Sequence, residues 1–423
     1  MKKTTFIIAL FVVFLSEKTA TQTPQKSWAK DMAATIMKTY PDSIVVKKYI
    51  NHMMQDKEIA VGKDPETAQR ERPALWGYEI GVVLRGFERL SAQSGNALYA
   101  EYTRRMVDHF ITSDGNIRTY NLEEYNSDNI PTGCMILSLY RQTGDEKYRK
   151  AAALIRQQLA WQPRNRAGGF WHKLKYPTQM WLDGLYMIEP FYADYSLTFN
   201  ELQNFDDIVK QFVLLEKHTR DPKSGLLFHG WDESKQQRWC NPKTGQSQEF
   251  WSRAIGWYAV ALVDVLDFLP KTHPKRPILI AMLNRVAVAL KKYQDPTSGV
   301  WYQITDKAGV AGNYLESSGS SMFVFALLKG IRMGYLDKTF LPTATKGFAG
   351  ILKTFIETDA DGGIHLTKAC AGAGLGGEPY RDGTYDYYIK EPQRTDDLKA
   401  VGPFIQAALE IELLPSKGKR LAR

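Results

Sequence analysis

The chain has 423 residues, of which 44% are hydrophobic and 24% charged, and its formal net charge is +9. This composition excludes a mainly disordered chain, and the length exceeds the usual size of one hydrophobic core unless a structural unit is repeated. The positive charges are spread along the chain without a basic stripe or a nucleic-acid-binding module, so nucleic-acid binding is not expected. A basic balance does suit an anionic ligand.

The first segment, "MKKTTFIIALFVVFLSEKTATQT", is typical of an export signal. Lys2 and Lys3 precede an apolar stretch from Phe6 to Leu15, which is too short for a comfortable membrane span. We expect a signal peptide over residues 1–20, with the cleavage point left open, and a periplasmic or secreted protein. No later apolar stretch is long enough to cross a membrane, so no membrane association is expected after signal removal. Residues 416–423 form a basic tail.

Helical hairpins are predicted through most of the remaining chain. In "TGCMILSLYRQTGDEKYRKAAALIRQQL" apolar residues recur at three- and four-residue steps, with a break at Thr143 and Gly144 that separates two helices. "FWSRAIGWYAVALVDVLDFL" and "SSMFVFALLKGIRMGYL" predict further helices, while "ILIAMLNRVAVALKKYQ" and "FAGILKTFIETD" predict amphipathic helices that cover the outside.

Five segments that begin with glycine punctuate these helices. They are "SDGNIRTY", "AGGFWHKL", "KSGLLFHGW", "TSGVWYQI" and "DGGIHLTK", and their glycines at 115, 169, 225, 299 and 363 are 54, 56, 74 and 64 residues apart. Strand-like alternation is confined to these segments, which predicts short β-hairpins in the loops. Self-similarity at this spacing indicates a repeated supersecondary unit.

About six such units fit the chain, and a ring of six hairpins would bury the apolar ends that a linear stack leaves exposed. We therefore predict an all-α fold, an (α/α)6 barrel, as a single domain over residues 27–415. Several helix starts carry small or polar residues that would let inner helices crowd at the axis: "WGYEIGVVL", "SDNIPTGCM", "WLDGLYM", "WSRAIGWY" and "SSGSSMFVF". The alternative is a linear solenoid with small residues at tight crossings.

The polar residues at these helix starts are candidates for chemistry, because the starts converge at one mouth of the barrel. Asp128 lies in "DNIPTG", Asp183 in "WLDGLYM" and Arg253 in "WSRAIGW", and the loops add His172 and His229. Either aspartate could instead be a helix N-cap. The histidines could be satisfied hydrogen-bonding residues, and Arg253 could pair with a structural carboxylate.

Aromatic residues accompany the candidate polar residues. Aromatic faces together with hydrogen-bonding groups suit sugar rings, although the tryptophans could also be core residues. The aromatic candidates are Tyr78, Trp171, Trp181, Trp231, Trp251 and Trp257. The glycine-rich loop Gly372–Gly377 is expected to form a lip of the pocket.

No metal or cofactor is expected, because the sequence has no HExxH or similar close ligand spacing. Cys134, Cys240 and Cys370 are far apart and odd in number, which favours small core residues, with one disulfide left open. The GxSxG motif of nucleophilic hydrolases is also missing from the sequence.

The chain resembles the unsaturated rhamnogalacturonyl hydrolases, glycoside hydrolase family 105. The most specific block is "GGFWHKLKYPTQMWLDGLYMIEPFYADY", supported by "HGWDESKQQRW", "EFWSRAIGWY" and "ESSGSSMFVFAL". The resemblance covers nearly all of the chain after the signal. It implies a six-hairpin α/α barrel and an enzyme that removes 4,5-unsaturated galacturonic acid from the non-reducing end of rhamnogalacturonan oligosaccharides by hydrating the C4=C5 enol-ether double bond.

The resemblance also implies roles for individual residues. Asp183 is the principal acid/base, and Asp128 is the second aspartate, whose like charge would favour the protonated form of Asp183 and which could bind ring hydroxyls. Arg253 is the first choice for binding the carboxylate of the sugar. The remaining substrate-binding positions are Tyr78, His172, His229, Trp251 and Trp257. The partner is an unsaturated uronic-acid oligosaccharide, and we expect a monomer.

Three alternatives remain at the level of sequence. An unsaturated glucuronyl hydrolase would act on ulvan or glycosaminoglycan fragments. An ordinary inverting glycosidase on the same barrel would use two carboxylates, with Glu249 as the candidate partner of Asp183. A non-catalytic sugar-binding protein would use the tryptophans as platforms, but platforms do not need an enclosed acid.

Overall fold

The computed structural model describes residues 26–44 and 74–414 of the chain. The predicted signal segment, residues 1–20, and the basic tail, residues 416–423, lie outside the described residues. The division of the chain at these boundaries therefore stays a prediction.

The described residues form thirteen α-helices, twelve of which alternate between an inner and an outer position. The inner helices are α2 (Tyr78–Ser94), α4 (Gly133–Thr143), α6 (Leu182–Thr198), α8 (Ser252–Phe268), α10 (Ser317–Arg332) and α13 (Leu398–Glu412). The outer helices are α1 (Trp28–Thr39), α3 (Ala97–Asp108), α5 (Glu146–Trp161), α7 (Asn204–Thr219), α9 (Arg276–Tyr293) and α11 (Leu341–Phe355). The short helix α12 (Tyr385–Lys390) precedes α13.

The inner helices close into a ring. Each packs against the next in the chain, and α13 packs against both α10 and α2, so the last inner helix returns to the first. This contact excludes the linear solenoid, in which the two terminal repeats stay apart. The predicted (α/α)6 barrel is confirmed.

The hairpin at Gly144 shows how the sequence sets a break between helices. Gly144 adopts the left-handed conformation with φ of 67° and ends α4, as glycine commonly does at a helix C-terminus. Asp145 then caps α5, since its side chain accepts a hydrogen bond of 2.9 Å from the backbone N–H of Lys147. The predicted break at Thr143 and Gly144 is therefore confirmed.

An inner helix is buried on nearly all sides, whereas an outer helix is buried on one face, as the apolar periodicity predicted. In α8 every residue from Ser252 to Leu266 is buried, whereas α9 buries only the face that carries Leu279, Leu283 and Leu290. Small residues allow the inner helices to approach closely. At Gly402 of α13, an added Cβ atom would lie 2.3 Å from a backbone oxygen of α2, so only glycine fits there.

The strands are short and pair in twos. The strands are β1 (Gln179–Trp181) with β2 (Gly230–Asp232), β3 (Ile356–Thr358) with β4 (Ile364–Leu366), and β5 (Ala369–Cys370) with β6 (Gln393–Arg394), all antiparallel. Of these pairs only β3 and β4 form a local hairpin in one of the glycine-led segments. The expectation that strand-like structure is confined to those segments is therefore wrong. Three-residue strands carry too little alternation to reveal a partner about 50 residues away along the chain.

The three cysteines are buried and free, which confirms the interpretation as core residues and excludes a disulfide. Within the described ranges, none of the helices combines the length and the apolar character that crossing a membrane requires.

A buried charge network lies toward the other end of the inner helices. Lys329 of α10 is 2% exposed and donates to Asp264 at 2.8 Å and to Asp267 at 2.5 Å, both on α8. Arg89 of α2 donates to the same Asp264 oxygen at 2.6 Å. This network joins three inner helices away from the mouth where the candidate residues lie.

Candidate active site

A cavity of about 990 Å³ opens at the N-terminal ends of the inner helices. Its size is at the upper end of the range of about 300–1,000 Å³ that is common for small-molecule sites, so it has room for an oligosaccharide end. The walls come from the start of α2, the loop before α6, the start of α6 and the segment from Ala371 to Lys399. Its charged and aromatic lining residues are Tyr78, Glu79, Asp128, His172, Lys173, Lys175, Tyr176, Trp181, Asp183, Glu378, Tyr380, Arg381, Tyr387, Lys390, Glu391, Arg394 and Lys399.

Asp183 is the second residue of α6 and lines this cavity. The N-cap position is occupied by Trp181, and no side-chain hydrogen bond caps the helix. Asp183 is only 8% exposed, so its carboxyl group is largely removed from water. The alternative that Asp183 is a helix cap is wrong, and its position needs another explanation.

His229 lies directly beside the carboxyl group of Asp183. Nε2 of His229 is 3.0 Å from Oδ2 of Asp183, and Nδ1 of His229 is 2.7 Å from the hydroxyl of Tyr388. The backbone carbonyl of His229 accepts from the N–H of Leu182 at 2.9 Å, next to the paired strands β1 and β2. The strand pairing therefore fixes the histidine against the first turn of α6.

Asp128 lies in a short 3-10 turn, Ser127–Asn129, whose cap is the side chain of Asn126. The carboxylate of Asp128 contacts the ammonium of Lys173, and one oxygen lies 3.7 Å from Nε2 of His172. Burial has the largest single effect and alone would raise the pKa of Asp128, but Lys173, by charge and hydrogen bond, together with His172 and Lys175 holds the pKa below its usual value. Asp128 is therefore an ion-paired wall residue rather than a cap, and Lys173 offsets much of its negative charge.

His172 belongs to an aromatic stack on the cavity wall. Its ring lies 4.3 Å from the Trp181 ring, which lies 4.8 Å from the ring of Tyr176, both in stacked geometry. Nδ1 of His172 is 3.1 Å from the hydroxyl of Ser127. Burial lowers the pKa of His172 to about 3, so the imidazole is neutral at ordinary pH. It can hydrogen-bond a hydroxyl but cannot supply a positive charge.

Tyr78 lines the cavity, whereas the two tryptophans predicted as walls lie behind it. Trp257 is 1% exposed and stacks on Tyr186 with ring centroids 4.4 Å apart, and its ring meets Tyr78 edge to face at 6.2 Å. Trp251 is also 1% exposed, and its ring centroid lies 4.9 Å from that of His229. Both tryptophans therefore pack behind the cavity wall, Trp257 against Tyr78 and Trp251 against His229.

Arg253 is the second residue of α8 but does not line the cavity. It is 1% exposed and donates from Nη1 to the backbone carbonyl of Cys370 at 2.5 Å. Its guanidinium lies 4.8 Å from the ring of Trp251. In this structure Arg253 thus holds strand β5 against the start of α8 and presents no charge to the cavity.

Sequence reasoning missed Arg381, a cationic side chain that does line the cavity. Its Nε donates to the carbonyl of Gly376 at 2.8 Å, and Nη2 donates to the hydroxyl of Tyr176 at 2.6 Å. The guanidinium lies 5.8 Å from the ring of Trp181. Nη1 finds no acceptor among the described residues. The signal available in the sequence was the position of Arg381 just after the glycine-rich loop.

The glycine-rich loop forms part of the cavity wall, as predicted. Ala371, Gly372 and Ala373 line the cavity, followed along the chain by Glu378, Pro379 and Tyr380. The loop therefore lies where it can contact a bound ligand.

Glu249, considered as the second carboxylate of an ordinary glycosidase, lies outside the cavity lining. It pairs with Lys307 at 2.5 Å and is not among the residues that line the cavity. Across the described ranges, His, Cys, Asp and Glu side chains do not gather in groups of three or more that could hold a metal ion.

Comparison with known proteins identifies a glycoside hydrolase family and several relatives of this chain. A family model described as Glycosyl Hydrolase Family 88 matches residues 45–414. The chain is 40% identical over 231 residues to Protein Atu3128 of Agrobacterium fabrum, a match that covers 53% of this chain and 98% of that protein. It is 27% identical over 316 residues to the unsaturated rhamnogalacturonyl hydrolase YesR of Bacillus subtilis, covering 73% of this chain and 84% of that protein.

Two solved structures with a similar fold are also glycoside hydrolases. A family 105 glycoside hydrolase of C. acetobutylicum is 43% identical and has a TM-score of 0.82, covering 92% of this chain and 100% of that chain. The unsaturated glucuronyl hydrolase of Bacillus sp. GL1 is 15% identical with a TM-score of 0.62, covering 91% of this chain and 95% of that chain, and so shares the fold alone. The chain therefore belongs to glycosyl hydrolase family 88 and is an enzyme of the family 105, unsaturated rhamnogalacturonyl hydrolase type.

Proposed function

We propose that the enzyme removes a 4,5-unsaturated galacturonic acid from the non-reducing end of rhamnogalacturonan oligosaccharides by hydrating the C4=C5 double bond. The observation that carries this proposal is the carboxyl group of Asp183, largely buried and yet facing a cavity that can hold a sugar. A carboxyl group in that setting can both give and take a proton at a reacting carbon.

Asp183 would act first as acid and then as base. It donates its proton to C4, which breaks the double bond and leaves cationic character shared by C5 and the ring oxygen. A water molecule adds at C5 and gives its proton to the Asp183 carboxylate, which restores the acid. The hemiketal formed at C5 opens, and the aglycone leaves from C1. No second carboxylate is needed to attack the glycosidic bond, in contrast to ordinary glycosidases.

The cavity wall suits the sugar ring of such a substrate. The stacked rings of His172, Trp181 and Tyr176 supply an apolar face, on which the apolar face of a pyranose can rest. The ion pair of Asp128 and Lys173 lies at the same wall and can hydrogen-bond ring hydroxyls. Tyr78 closes the side nearest α2. Trp251 and Trp257 would act through the residues that they support.

Arg381 is the cation best placed for the carboxylate of the sugar. Its guanidinium is held by Tyr176 and Gly376, and Nη1 remains free to bind an anion. Arg253, the first choice from the sequence, could serve this role only by leaving the carbonyl of Cys370. We therefore assign the carboxylate to Arg381 and keep Arg253 as the alternative.

The relatives and the first residues of the chain bear on the substrate and the location of the enzyme. YesR, named for rhamnogalacturonyl substrates, aligns over 73% of this chain, whereas the unsaturated 3S-rhamnoglycuronyl hydrolase of Formosa agariphila is 26% identical over 39% of it. This difference favours rhamnogalacturonan as the source polymer. The basic and apolar segment at residues 1–20 supports export to the periplasm or the outside.

The test follows the ultraviolet absorbance of an unsaturated galacturonyl-rhamnose disaccharide. We expect the absorbance of the double bond to disappear with the native protein and to persist with Asp183→Asn, which keeps the shape and removes the acid. Asp145→Asn is the matched control, because asparagine caps a helix as well as aspartate does and residue 145 lies on the α4–α5 turn.

Other outcomes would select the alternatives. Turnover of unsaturated glucuronyl fragments alone would favour a glucuronyl hydrolase. Cleavage of saturated oligosaccharides with an unchanged double bond would favour an ordinary glycosidase. Binding without any turnover, equal in Asp183→Asn, would favour a sugar-binding protein.

A further inference from the structure

Tyr388 lies behind the proposed acid, at the end of a buried chain of polar groups. Its hydroxyl is 2.7 Å from Nδ1 of His229, whose Nε2 is 3.0 Å from Oδ2 of Asp183. Tyr388 and His229 are both 0% exposed. Oδ2 of Asp183 and Nε2 of His229 have no aligned hydrogen-bond partner among the described residues, so their contact is close but not yet aligned as a hydrogen bond. Such contacts often align only when substrate binds.

Two arrangements of hydrogen atoms fit these positions for a neutral His229 ring. In the first, the hydroxyl of Tyr388 donates to Nδ1, and His229 carries its proton on Nε2 and donates to Asp183. In the second, Nδ1–H donates to the hydroxyl, and Asp183 must donate its own proton to Nε2. The hydrogen of the Tyr388 hydroxyl then has no acceptor, since only His229 contacts this oxygen among the described residues.

The first arrangement is favoured because it gives the hydrogen of the buried Tyr388 hydroxyl an acceptor. A buried hydroxyl without an acceptor destabilises the folded state. The bond made by one ring nitrogen decides which nitrogen of a neutral histidine carries the proton. Burial keeps Tyr388 protonated, because it raises the pKa of the phenol well above its usual value.

We infer that Tyr388 is a positioning residue that fixes His229 as an Nε2–H donor to Oδ2 of Asp183, so that the proton used in catalysis resides on Oδ1. This inference rests on the proposed role of Asp183. Trp251 stabilises the arrangement, since its ring packs at 4.9 Å from His229 and 5.9 Å from Tyr388. The donation also supports the carboxylate that remains after C4 is protonated.

Tyr388 belongs to the short helix α12. This helix follows the glycine-rich loop and Arg381, which form part of the cavity wall. Its backbone carbonyl accepts from Nε2 of Gln303 at 3.2 Å, which ties α12 to the loop before α10. The wall that contacts the ligand and the group that orients the acid are thus parts of one segment.

The direct test reads the tautomer of His229 by ¹⁵N nuclear magnetic resonance of protein labelled in its histidines. The His229 signals are assigned by their loss in His229→Gln. We expect a protonated Nε2 and an unprotonated Nδ1 at neutral pH in the wild type. In Tyr388→Phe the Nδ1–H form should become populated. A wild-type spectrum with the proton on Nδ1 would overturn the inference, whatever the enzyme acts on.

Kinetics supply the second readout. In Tyr388→Phe we expect kcat to fall about 10- to 100-fold, the usual effect of losing the partner that orients a histidine, with KM nearly unchanged. The basic limb of the pH–rate profile should move to higher pH, because the anionic form of the acid loses support. The charged and titratable groups nearest Asp183 are His229, Tyr388 and His172, and the substitution changes the charge of none of the residues that line the cavity. Those residues are Tyr78, Glu79, Asp128, His172, Lys173, Lys175, Tyr176, Glu378, Tyr380, Arg381, Tyr387, Lys390, Glu391, Arg394 and Lys399.

Tyr385→Phe is the matched control on the same helix. The hydroxyl of Tyr385 donates to the carbonyl of Ala311 at 2.9 Å, outside the site, so neither the tautomer nor the pH profile should change. Equal losses in both variants would reduce Tyr388 to a structural residue. The proposed function and this inference can fail separately. If the wild type leaves the double bond intact, the proposed function fails. If the wild type still shows the Nε2–H form and Tyr388→Phe loses it, the inference that Tyr388 sets the tautomer of His229 stands. If Tyr388→Phe does not fold, the wild-type spectrum alone decides.

Discussion

The ion pair between Asp128 and Lys173 offers a quantitative test of the cavity wall. Lys173→Met removes the ammonium and keeps a side chain of similar length. Two unit charges about 4 Å apart at an effective dielectric constant of about 20 attract by about 4 kcal/mol. The side chains of Lys173 and Asp128 are 15% and 23% exposed, so water screens part of this attraction. We expect a loss of about 2 kcal/mol at pH 7.

The pH dependence has a definite sign. The pKa of Asp128 in the folded protein lies below its value of about 4 in the unfolded chain, because the neighbouring groups, chiefly Lys173, together outweigh burial. The pair therefore stabilises the folded state above about pH 4, and this contribution is lost as the pH falls through the folded pKa. The difference between Lys173→Met and wild type should be largest near neutral pH and should shrink toward pH 2–3.

The assay is thermal unfolding of both proteins across this pH range, in which about 2 kcal/mol corresponds to a shift of a few degrees. Lys175→Met is the matched control. Lys175 lies two residues away, its ammonium is over the ring of Tyr176 at 5.2 Å, and its charge lowers the pKa of Asp128 less than that of Lys173 does. We expect that control to stay within about 0.5 kcal/mol of wild type. An equal cost of Lys173→Met at pH 7 and pH 3 would refute the electrostatic reasoning.

Three further predictions concern the substrate and the barrel. Arg381→Gln should raise KM by about tenfold or more and change kcat less, because a charge-assisted hydrogen bond contributes about 1.5–3 kcal/mol; an unchanged KM in the double-bond assay would contradict the assignment. Lys329→Met should lower stability by about 3 kcal/mol, since only Arg89 remains to balance two carboxylates, while KM stays constant because the network lies away from the cavity. Gly402→Ala should cost about 1–3 kcal/mol in chemical denaturation, because its Cβ would meet the Val82 carbonyl at 2.3 Å; a neutral effect would mean that α13 and α2 separate easily.

The barrel could be predicted because its signals are local. The break at Gly144 needs only a left-handed glycine followed by a capping aspartate, and each lies within two residues of the helix that it ends or begins. Apolar periodicity separates α8 from α9 in the same way. Ring closure followed from the number of repeats and from the surface that open ends would expose. These arguments use spacing alone, and spacing is what a sequence displays.

The cavity could be predicted only in part, because much of it comes from a distant segment. Asp183 and His229 were found from motifs at a helix start and in a loop, but Tyr388, which contacts His229, is 159 residues farther along the chain. Arg381 bonds Tyr176 across 205 residues. No local pattern in the sequence predicts pairings at such separations, and the strand pairing of β1 with β2 was missed for the same reason.

Arg253 shows why an equivalent position does not guarantee an equivalent role. Arg253 in α8 and Asp183 in α6 are both second residues of inner helices at the same end of the barrel. Asp183 lines the cavity. Above α8, the strand that contains Cys370 covers the helix start, and its carbonyl takes the guanidinium. The covering segment, rather than the helix position, decides which of the two side chains lines the cavity.

The placement of Asp183 among apolar residues is explained by two opposing effects on its charge. The first turn of α6 presents free backbone N–H groups and the positive end of the helix dipole, and His229 adds a donor, all of which favour a negative carboxylate. The low exposure and the neighbouring Trp181 and Met187 disfavour it. The proposed reaction uses one carboxyl both to give a proton to carbon and to take one from water. The helix start, the histidine and the apolar wall all meet at this carboxyl.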